Sequence, residues 1–232
     1  MTGAASASVA VLMPAAGEGR RLGLEVPKAL ADIAGRPMVC RALEAFSSAI
    51  GITEIVVLVP AVTRDAFVSA VAGASISGIV PRVVVGGDTR QDSVRLGAEA
   101  LRSSPEIICV HDAARPLATA ALITAVVAAA AASGAATAAA RPVDSVRQDG
   151  DHGETRAIDR SALWLVQTPQ AFSSRLLREA HRRARDEGIS ATDDASLVER
   201  VCGARVSVVA NDAPNLKVTT AADLACARAL YR

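Results

Sequence analysis

Glycines and cations crowd one short stretch near the start of the chain. Residues 11–30 read VLMPAAGEGRRLGLEVPKAL, an apolar run that turns into glycines, arginines and a Pro-Lys pair. Gly17 and Gly19 let the backbone approach a ligand closely and offer N–H groups to phosphate oxygens. The stretch also carries three cations, Arg20, Arg21 and Lys28. This combination suits a triphosphate, which is held by several cations and usually Mg²⁺.

Two familiar phosphate loops do not fit this stretch. A dinucleotide fingerprint requires a third glycine where Leu22 stands, and a Walker A loop requires Lys-Ser or Lys-Thr after its last glycine. Two plainer interpretations remain open on the residues alone. The glycines serve an ordinary strand-to-loop turn, or the basic residues are solvated on a surface loop.

Apolar runs and helical stretches alternate along the first half of the chain. Strands are predicted at 9–14, 54–60, 81–87 and 106–112, with helices near 37–47, after residue 61 and at about 88–101. The strands lack polar alternation, as expected for a parallel sheet covered on both faces. The pattern predicts an α/β fold with a doubly wound, mostly parallel sheet.

An alanine-rich segment and a polar segment follow. We expect a helix up to residue 132, with Gly134 after its end, and a strand over 135–143, where tertiary pairing overrides the helix preference of alanine. The polar residues to 163 predict a projecting β-arm, about 143–163, with a turn near DGDHG. Helices at about 173–187 and 194–202, a strand at 205–210 and a closing helix from 220 complete the prediction.

Composition limits the classes of function. The chain has 232 residues, 51% of them apolar, and we expect one domain over 1–232. A formal net charge of +1 argues against a nucleic-acid partner. The four cysteines form no metal-ligand spacing and indicate reduced, mostly buried thiols of a cytoplasmic protein. The N-terminal run is too short for a signal peptide or a membrane span, so no membrane association is expected.

Several motifs together resemble one family. PAAGEGRRL followed by PK, then GGDTRQDSV, VHDAARP, QTPQAF, TDDASLVE and NLKVTT are similar to the 2-C-methyl-D-erythritol 4-phosphate cytidylyltransferases of the non-mevalonate isoprenoid pathway, in order from about residue 9 to 231. The first motif marks only nucleotidyltransferases in general. The resemblance implies a nucleotidyltransferase-like Rossmann variant that transfers CMP from CTP to the polyol phosphate, releases pyrophosphate and uses Mg²⁺.

The resemblance also implies roles for individual residues. The catalytic cations are Arg21, Lys28, Arg160 and Lys217. The nucleotide-binding residues are Pro14, Ala15, Ala16, Gly17, Gly19, Gly87, Asp88 and Ser93, with Asp88 also a possible helix N-cap. The substrate-binding residues are Asp112, Arg115, Ser145, Arg160, Thr168, Thr192 and Lys217. Mg²⁺ is held mainly by the CTP phosphates, with Asp112 as a possible ligand or a cap of the next turn. His111 receives no role.

Two residues depart from the family pattern, and two rival functions remain open. Ser145 stands where the family pattern has threonine, and Ala29 where many relatives have glutamine. Relatives are homodimers whose arms complete each other's acceptor sites, so we expect a homodimer that joins through the arm. Ribitol 5-phosphate cytidylyltransferase is a rival in the same class, and a catalytically inactive nucleotide-binding regulator is a rival of another class.

Overall fold

The computed structural model describes residues 7–17, 19, 26–49, 51–74 and 76–231. Its strands are β1 (Val9–Pro14), β2 (Asp32–Ile33), β3 (Arg36–Pro37), β4 (Ile52–Val59), β5 (Arg82–Val85), β6 (Ile107–Val110), β7 (Ala135–Ala140), β8 (Val146–Asp149), β9 (Thr155–Ile158), β10 (Leu165–Ser173) and β11 (Ser207–Ala210). Its α-helices are α1 (Met38–Glu44), α2 (Arg64–Val71), α3 (Arg90–Glu99), α4 (Ala120–Ser133), α5 (Ser174–Glu187), α6 (Asp194–Cys202) and α7 (Ala221–Leu230).

Seven strands form the central sheet in the order β5, β4, β1, β6, β10, β7, β11. Every neighbouring pair is parallel except the two that involve β10, which runs antiparallel to both β6 and β7. The fold class predicted from the sequence is therefore confirmed. The strand order reverses between β1 and β6, because the chain moves outward to β5 and then returns to the other side of β1. Such a reversal opens a crevice at the carboxyl ends of the strands.

Alternate residues of the central strands pack on opposite faces of the sheet. Val9, Val11 and Met13 lie on one face with apolar residues of α1, α2 and α4. Leu12 lies on the other face with apolar residues of α3, α5 and α6. Both faces are buried, which explains the continuous apolar runs of the sequence. A smaller cluster holds α7 against β2 and includes Ile33, and Thr220 begins α7 with a capping box.

One central strand escapes the sequence pattern. Leu165–Ser173 had no predicted element, yet it forms β10 in the middle of the sheet. Pro169 lacks an N–H donor and polar side chains surround it, so the segment does not look like a strand. The structure accommodates this segment by an irregular register with β7 between Val166 and Gln170.

The alanine-rich segment follows the prediction. α4 ends at Ser133, and Gly134 caps it in the left-handed conformation, with φ +89°. The following strand, β7, ends at Ala140, earlier than predicted, because Arg141 and Pro142 interrupt it. β8 and β9 pair with each other in a separate, mostly exposed hairpin within the predicted arm. Its projection from the body stays a prediction, as does the extent of the domain.

The helices and the cysteines bear on the expectations about membranes and redox state. None of the helices in the described ranges is long and apolar enough to cross a bilayer. Cys40 and Cys109 are buried, Cys202 is half-buried and Cys226 is exposed, and none of the four forms a disulfide.

Candidate active site

The loop after β1 forms one wall of a cavity at the carboxyl edge of the sheet. The Ala15 N–H donates to the Leu58 carbonyl at 2.8 Å, which fixes the start of this loop beside β4. A Cβ atom at Gly17 would lie 3.2 Å from Cε of Lys28, so the absence of a side chain at Gly17 makes room for the lysine. Lys28 begins a short 3₁₀ helix, Lys28–Leu30. The predicted phosphate turn therefore places a lysine along its own backbone.

The end of β6 supplies the central carboxylate. Oδ1 of Asp112 accepts from Nε of Arg90 at 3.0 Å, and its Oδ2 accepts from Nζ of Lys217 at 2.7 Å. The Asp112 side chain is 9% exposed, whereas that of Lys217 is 43% exposed. Burial opposes the charged form of Asp112, but the two cations outweigh it and hold the pKa of the carboxyl well below its usual range. Asp112 is thus an anion that aims Lys217 into the cavity.

Backbone contacts bring Lys217 to this place from the far end of the chain. The Val218 N–H donates to the Ala114 carbonyl at 2.8 Å. Nη1 of Arg115 donates to the Asn215 carbonyl at 2.7 Å, and the Asn215 amide donates to the Thr168 carbonyl at 2.9 Å. The loop before α7 is therefore fixed to both the β6 loop and β10.

Two adjoining cavities share this charged centre. The first, of about 280 Å³, is lined by Pro14, Ala15, Ala16, Gly17, Lys28, Ala29, Asp88, Thr89, Arg90, Asp112, Ala113, Ala114 and Lys217. The second, of about 290 Å³, is lined by Arg90, Asp112, Arg115, Val166, Gln167, Thr168, Gln170, Thr192, Asp193 and Lys217. Arg90, Asp112 and Lys217 belong to both walls. The arrangement offers two compartments that meet at one ammonium group.

A buried histidine orients the threonine of the second cavity. Nε2 of His111 lies 3.1 Å from the Arg115 carbonyl, which can only accept, so Nε2 carries the proton. Burial lowers the pKa of His111 to about 4, so the ring is neutral and Nδ1 accepts from the Thr168 hydroxyl at 3.2 Å. The hydroxyl oxygen in turn accepts from the Asp112 N–H at 3.0 Å. His111 therefore has a structural task beside the site.

The two cavities bring together most of the predicted site residues. The first holds Pro14, Ala15, Ala16, Gly17, Lys28 and Asp88, and the second holds Arg115, Thr168 and Thr192. Gly19 lies beside Lys28 without lining either cavity. Gly87 and Ser93 lie behind the wall, where the fully buried Ser93 hydroxyl bonds to the Gly87 N–H and to the Thr89 carbonyl. Their predicted ligand contacts stay predictions.

Two predicted residues lie elsewhere, and one falls outside the described residues. Ser145 and Arg160 belong to the arm region and line neither cavity, and Nη1 of Arg160 donates to the Val143 carbonyl. Arg21 lies outside the described residues, as does its neighbour Arg20. One alternative role is wrong. Asp88 is not the N-cap of α3, because Thr89 occupies that position and its side chain accepts from the Asp92 N–H.

Sequence reasoning missed Arg90, Gln167, Gln170 and Asp193 as cavity residues. Arg90 is the first residue of α3 and lay inside a motif already singled out, so its position after a strand end was a usable signal. The polar residues of β10 gave no such signal, since β10 itself was not predicted. Asp193 caps α6 and accepts from the Ser196 N–H, a role that the sequence TDDAS can suggest.

The residues of the first cavity fit a Mg²⁺ ion that is bound mainly by substrate phosphates better than a metal ion bound by protein side chains alone. Among the described residues no three His, Cys, Asp or Glu side chains are grouped to hold a metal. Both oxygens of Asp112 already accept from cations. Asp88 adds a second carboxylate to the first cavity. Mg²⁺ commonly binds through one or two carboxylates together with substrate phosphates, and these walls meet that requirement.

The two cavities contain every lysine of the chain. The sequence has 25 lysines and arginines together, and only Lys28 and Lys217 are lysines. These residues come from opposite ends of the sequence, and the fold places both on the wall of the first cavity. Compact ammonium groups beside glycine backbone, at the switch point of a mostly parallel sheet, are suited to phosphate oxygens.

Fold and site together define an α/β enzyme of the nucleotidyltransferase class, and known proteins agree. The family profile of 2-C-methyl-D-erythritol 4-phosphate cytidylyltransferase matches residues 9–232. The enzyme of that name from Saccharopolyspora erythraea is 42% identical over 96% of this chain and 99% of its own length. That from Symbiobacterium thermophilum is 40% identical over 96% and 92%. The chain belongs to the 2-C-methyl-D-erythritol 4-phosphate cytidylyltransferase family.

Solved structures show the same fold. The cytidylyltransferase from Thermus thermophilus aligns with a TM-score of 0.78 and 37% identity, covering 97% of this chain and 99% of that one. The 4-diphosphocytidyl-2C-methyl-D-erythritol synthase from Anaerococcus prevotii aligns with a TM-score of 0.85 and 26% identity, covering 98% and 97%.

Proposed function

We propose that this chain transfers CMP from CTP to 2-C-methyl-D-erythritol 4-phosphate in isoprenoid precursor biosynthesis. An oxygen of the acceptor phosphate attacks the α-phosphorus of CTP, a new P–O bond forms, and the bond to the β-phosphate breaks. The products are 4-diphosphocytidyl-2-C-methyl-D-erythritol and pyrophosphate. No side-chain nucleophile is needed, since positioning and charge stabilisation provide most of the catalysis of phosphoryl transfer.

The shared wall of the two cavities supports this proposal most directly. We assign CTP to the first cavity, against Lys28 and the β1 loop, and the acceptor to the second, against Arg115, Thr168 and Thr192. Lys217 belongs to both walls, and in this assignment its ammonium faces both the acceptor phosphate and the α-phosphate. A cation at that point neutralises the oxygens on which charge accumulates during transfer.

The charge balance of the first cavity supports a magnesium requirement. Its described wall has three cationic residues, Lys28, Arg90 and Lys217, against the two carboxylates Asp88 and Asp112. A triphosphate carries about four negative charges, which one excess cation does not balance. We propose that Mg²⁺ bound by the CTP phosphates supplies part of the difference and that Arg21 supplies another part.

We also propose that the enzyme works as a homodimer joined by the arm. Ser145 and Arg160 line neither cavity of their own chain, which is the arrangement expected if each arm completes a neighbour's acceptor site. Near the arm, Val143, Leu165 and Val166 are 83%, 54% and 44% exposed, which is unusual for apolar side chains of this size in one region. Size-exclusion chromatography with light scattering tests this, and an active monomer contradicts it.

We propose a cytoplasmic location because the cysteines are free thiols. None of the four forms a disulfide, and the two buried ones have raised pKa values because burial disfavours the thiolate, Cys109 to about 12. Such inert thiols are typical of a reducing compartment.

Pyrophosphate release across a panel of substrates tests the proposed reaction. We expect turnover only with CTP among the four common nucleoside triphosphates, and a higher kcat/KM with methylerythritol phosphate than with ribitol 5-phosphate. Preference for ribitol 5-phosphate contradicts the assigned acceptor. CTP binding without turnover on either acceptor indicates the regulatory alternative, and EDTA should abolish turnover if Mg²⁺ is required.

A further inference from the structure

Two charged or polar residues behind the cavities are buried and line neither of them. Asp194, the first residue of α6, is 1% exposed, and His181 of α5 is 2% exposed. Nε2 of His181 donates to Oδ1 of Asp194 at 3.0 Å. Oδ2 of Asp194 accepts from Nη1 of Arg90 at 2.7 Å. A carboxylate is thus buried under the site and points at the back of a wall residue.

Arg90 connects this buried pair to the reacting centre. Its Nη1 bonds to Asp194 while its Nε bonds to Asp112 at 3.0 Å, so one planar guanidinium spans two carboxylates. Burial opposes the charged form of Arg90, but the charges of Asp194 and Asp112 outweigh it and raise the pKa further above its usual value. The planar guanidinium has a rigid geometry that fixes the relative positions of both partners, which a lysine cannot reproduce.

Folding alone gives little reason for a charged pair at this depth. Buried ion pairs contribute little to stability, and apolar residues of similar volume often replace them without loss. Their alternative value is to fix one arrangement of side chains. Here the fixed arrangement ends at Oδ2 of Asp112, which bonds to Nζ of Lys217 at 2.7 Å.

We propose that Arg90 is a positioning residue, held from behind by Asp194 and His181, which fixes Asp112 and through it the ammonium of Lys217. This inference rests on the proposed function, because Lys217 is the cation assigned to the phosphate oxygens. Displacing a catalytic group by about 1 Å commonly costs about a hundredfold in rate. Loss of the rear support should therefore reduce turnover although it removes no cavity residue.

Asp194→Asn tests the inference, because Asp194 lines neither cavity and the substitution conserves shape. We expect kcat to fall about tenfold or more, with KM for CTP within about threefold of wild type. Glu54→Gln is the matched control, since Glu54 is a 12% exposed carboxylate that pairs with Arg82 at 2.7 Å and lines neither cavity. Glu54→Gln should lower stability and leave kcat unchanged well below the melting temperature.

A double-mutant cycle separates positioning from independent structural effects. If Asp194 acts through Arg90, then Asp194→Asn should not lower kcat further in an Arg90→Lys background, because the contact of one guanidinium with both carboxylates is already lost. Arg90→Lys keeps a cation beside both carboxylates and provides a second variant should Asp194→Asn fold poorly. Additive losses in the cycle overturn the inference, as does an Asp194→Asn enzyme with lower stability and normal kcat.

A second readout does not depend on turnover. Lys28 and Lys217 are the chain's only lysines. Acetylation of side-chain amines by acetic anhydride, measured by mass spectrometry, therefore reports on the site alone. In Asp194→Asn, Asp112 is the one carboxylate left to pair with Arg90, which weakens the pairing of Asp112 with Lys217. Lys217 should therefore be acetylated faster relative to Lys28. An unchanged ratio overturns the inference. If wild type has no turnover, the proposed function fails, and the acetylation ratio still tests the positioning.

Discussion

Replacing Lys217 by methionine should separate catalysis from folding. The substitution removes the ammonium and keeps most of the side-chain length. The lysine side chain is 43% exposed and pairs with Asp112 at 2.7 Å. Water screens the exposed lysine end of this pair, and Arg90 still pairs with the buried Asp112, so the loss of stability should be about 1 kcal/mol. For a chain of this size the melting temperature should therefore fall by no more than about 2–4 °C.

The expected loss of turnover is much larger. Lys217 is one preorganised cation at the junction of the two cavities, and removing one such donor costs about 10²- to 10³-fold in kcat, or about 2.7–4 kcal/mol in the activation barrier. Lys217→Arg should restore only a small part of the rate, because a guanidinium spreads its charge over a larger planar group than the compact ammonium that lies 2.7 Å from Oδ2 of Asp112.

Steady-state pyrophosphate release at saturating CTP and acceptor, with differential scanning calorimetry on the same samples, measures both quantities. Arg64→Met is a suitable control, since Arg64 is 50% exposed and pairs with Asp65 at 3.1 Å on the surface. The control should match the stability change of Lys217→Met and keep full turnover. A Lys217→Met enzyme with kcat within about threefold of wild type would refute the assignment of Lys217 to the reaction.

Three further outcomes follow from particular contacts. Gly17→Ala places a methyl group 3.2 Å from Cε of Lys28, so kcat should fall about tenfold with little change in melting temperature; unchanged kcat contradicts this. The neutral, buried His111 has its pKa lowered from 6.5 to about 4. Its contribution to the free energy of unfolding should therefore be fully present above pH 6.5 and fall by about 3 kcal/mol toward pH 4. The free energy of unfolding of His111→Gln, measured with urea across this pH range, should lack this decrease. An equal decrease in both proteins would contradict the prediction. Thr220→Ala removes the capping box of α7 and should cost about 1 kcal/mol at unchanged kcat, as calorimetry and the turnover assay can check.

The fold and part of the site follow from local sequence signals. Continuous apolar runs such as β1 and β6 predict buried parallel strands, and residues within three positions after them, such as Gly17 and Asp112, must reach the carboxyl edge of the sheet. Gly134 marked the end of α4 in the same way. These signals are local in the chain, because strand and helix periodicity and capping depend on neighbouring residues.

The remainder of the site depends on contacts between distant residues. Arg90 and Asp194 are 104 positions apart, and no spacing in the sequence predicts that they meet. β10 was missed because its Pro169 and polar side chains oppose strand formation locally, and pairing on both sides with β6 and β7 outweighs that opposition. Tertiary pairing thus decides where local preference is weak or contrary.

The contrast between overall and local charge connects these observations. A net charge of +1 gives the whole chain no general attraction for anions, so phosphate binding must depend on where the cations lie. Among the described residues, arginines form the surface pairs, and the half-buried Arg90 uses its planar group with several donors to bond to two carboxylates at once. The two lysines occupy only the cavity wall, where a compact cation can face phosphate oxygens that change position as the bond to phosphorus is exchanged. Under the proposed function, the planar guanidinium of Arg90 positions the site, and the compact ammonium groups of Lys28 and Lys217 face the reacting phosphates.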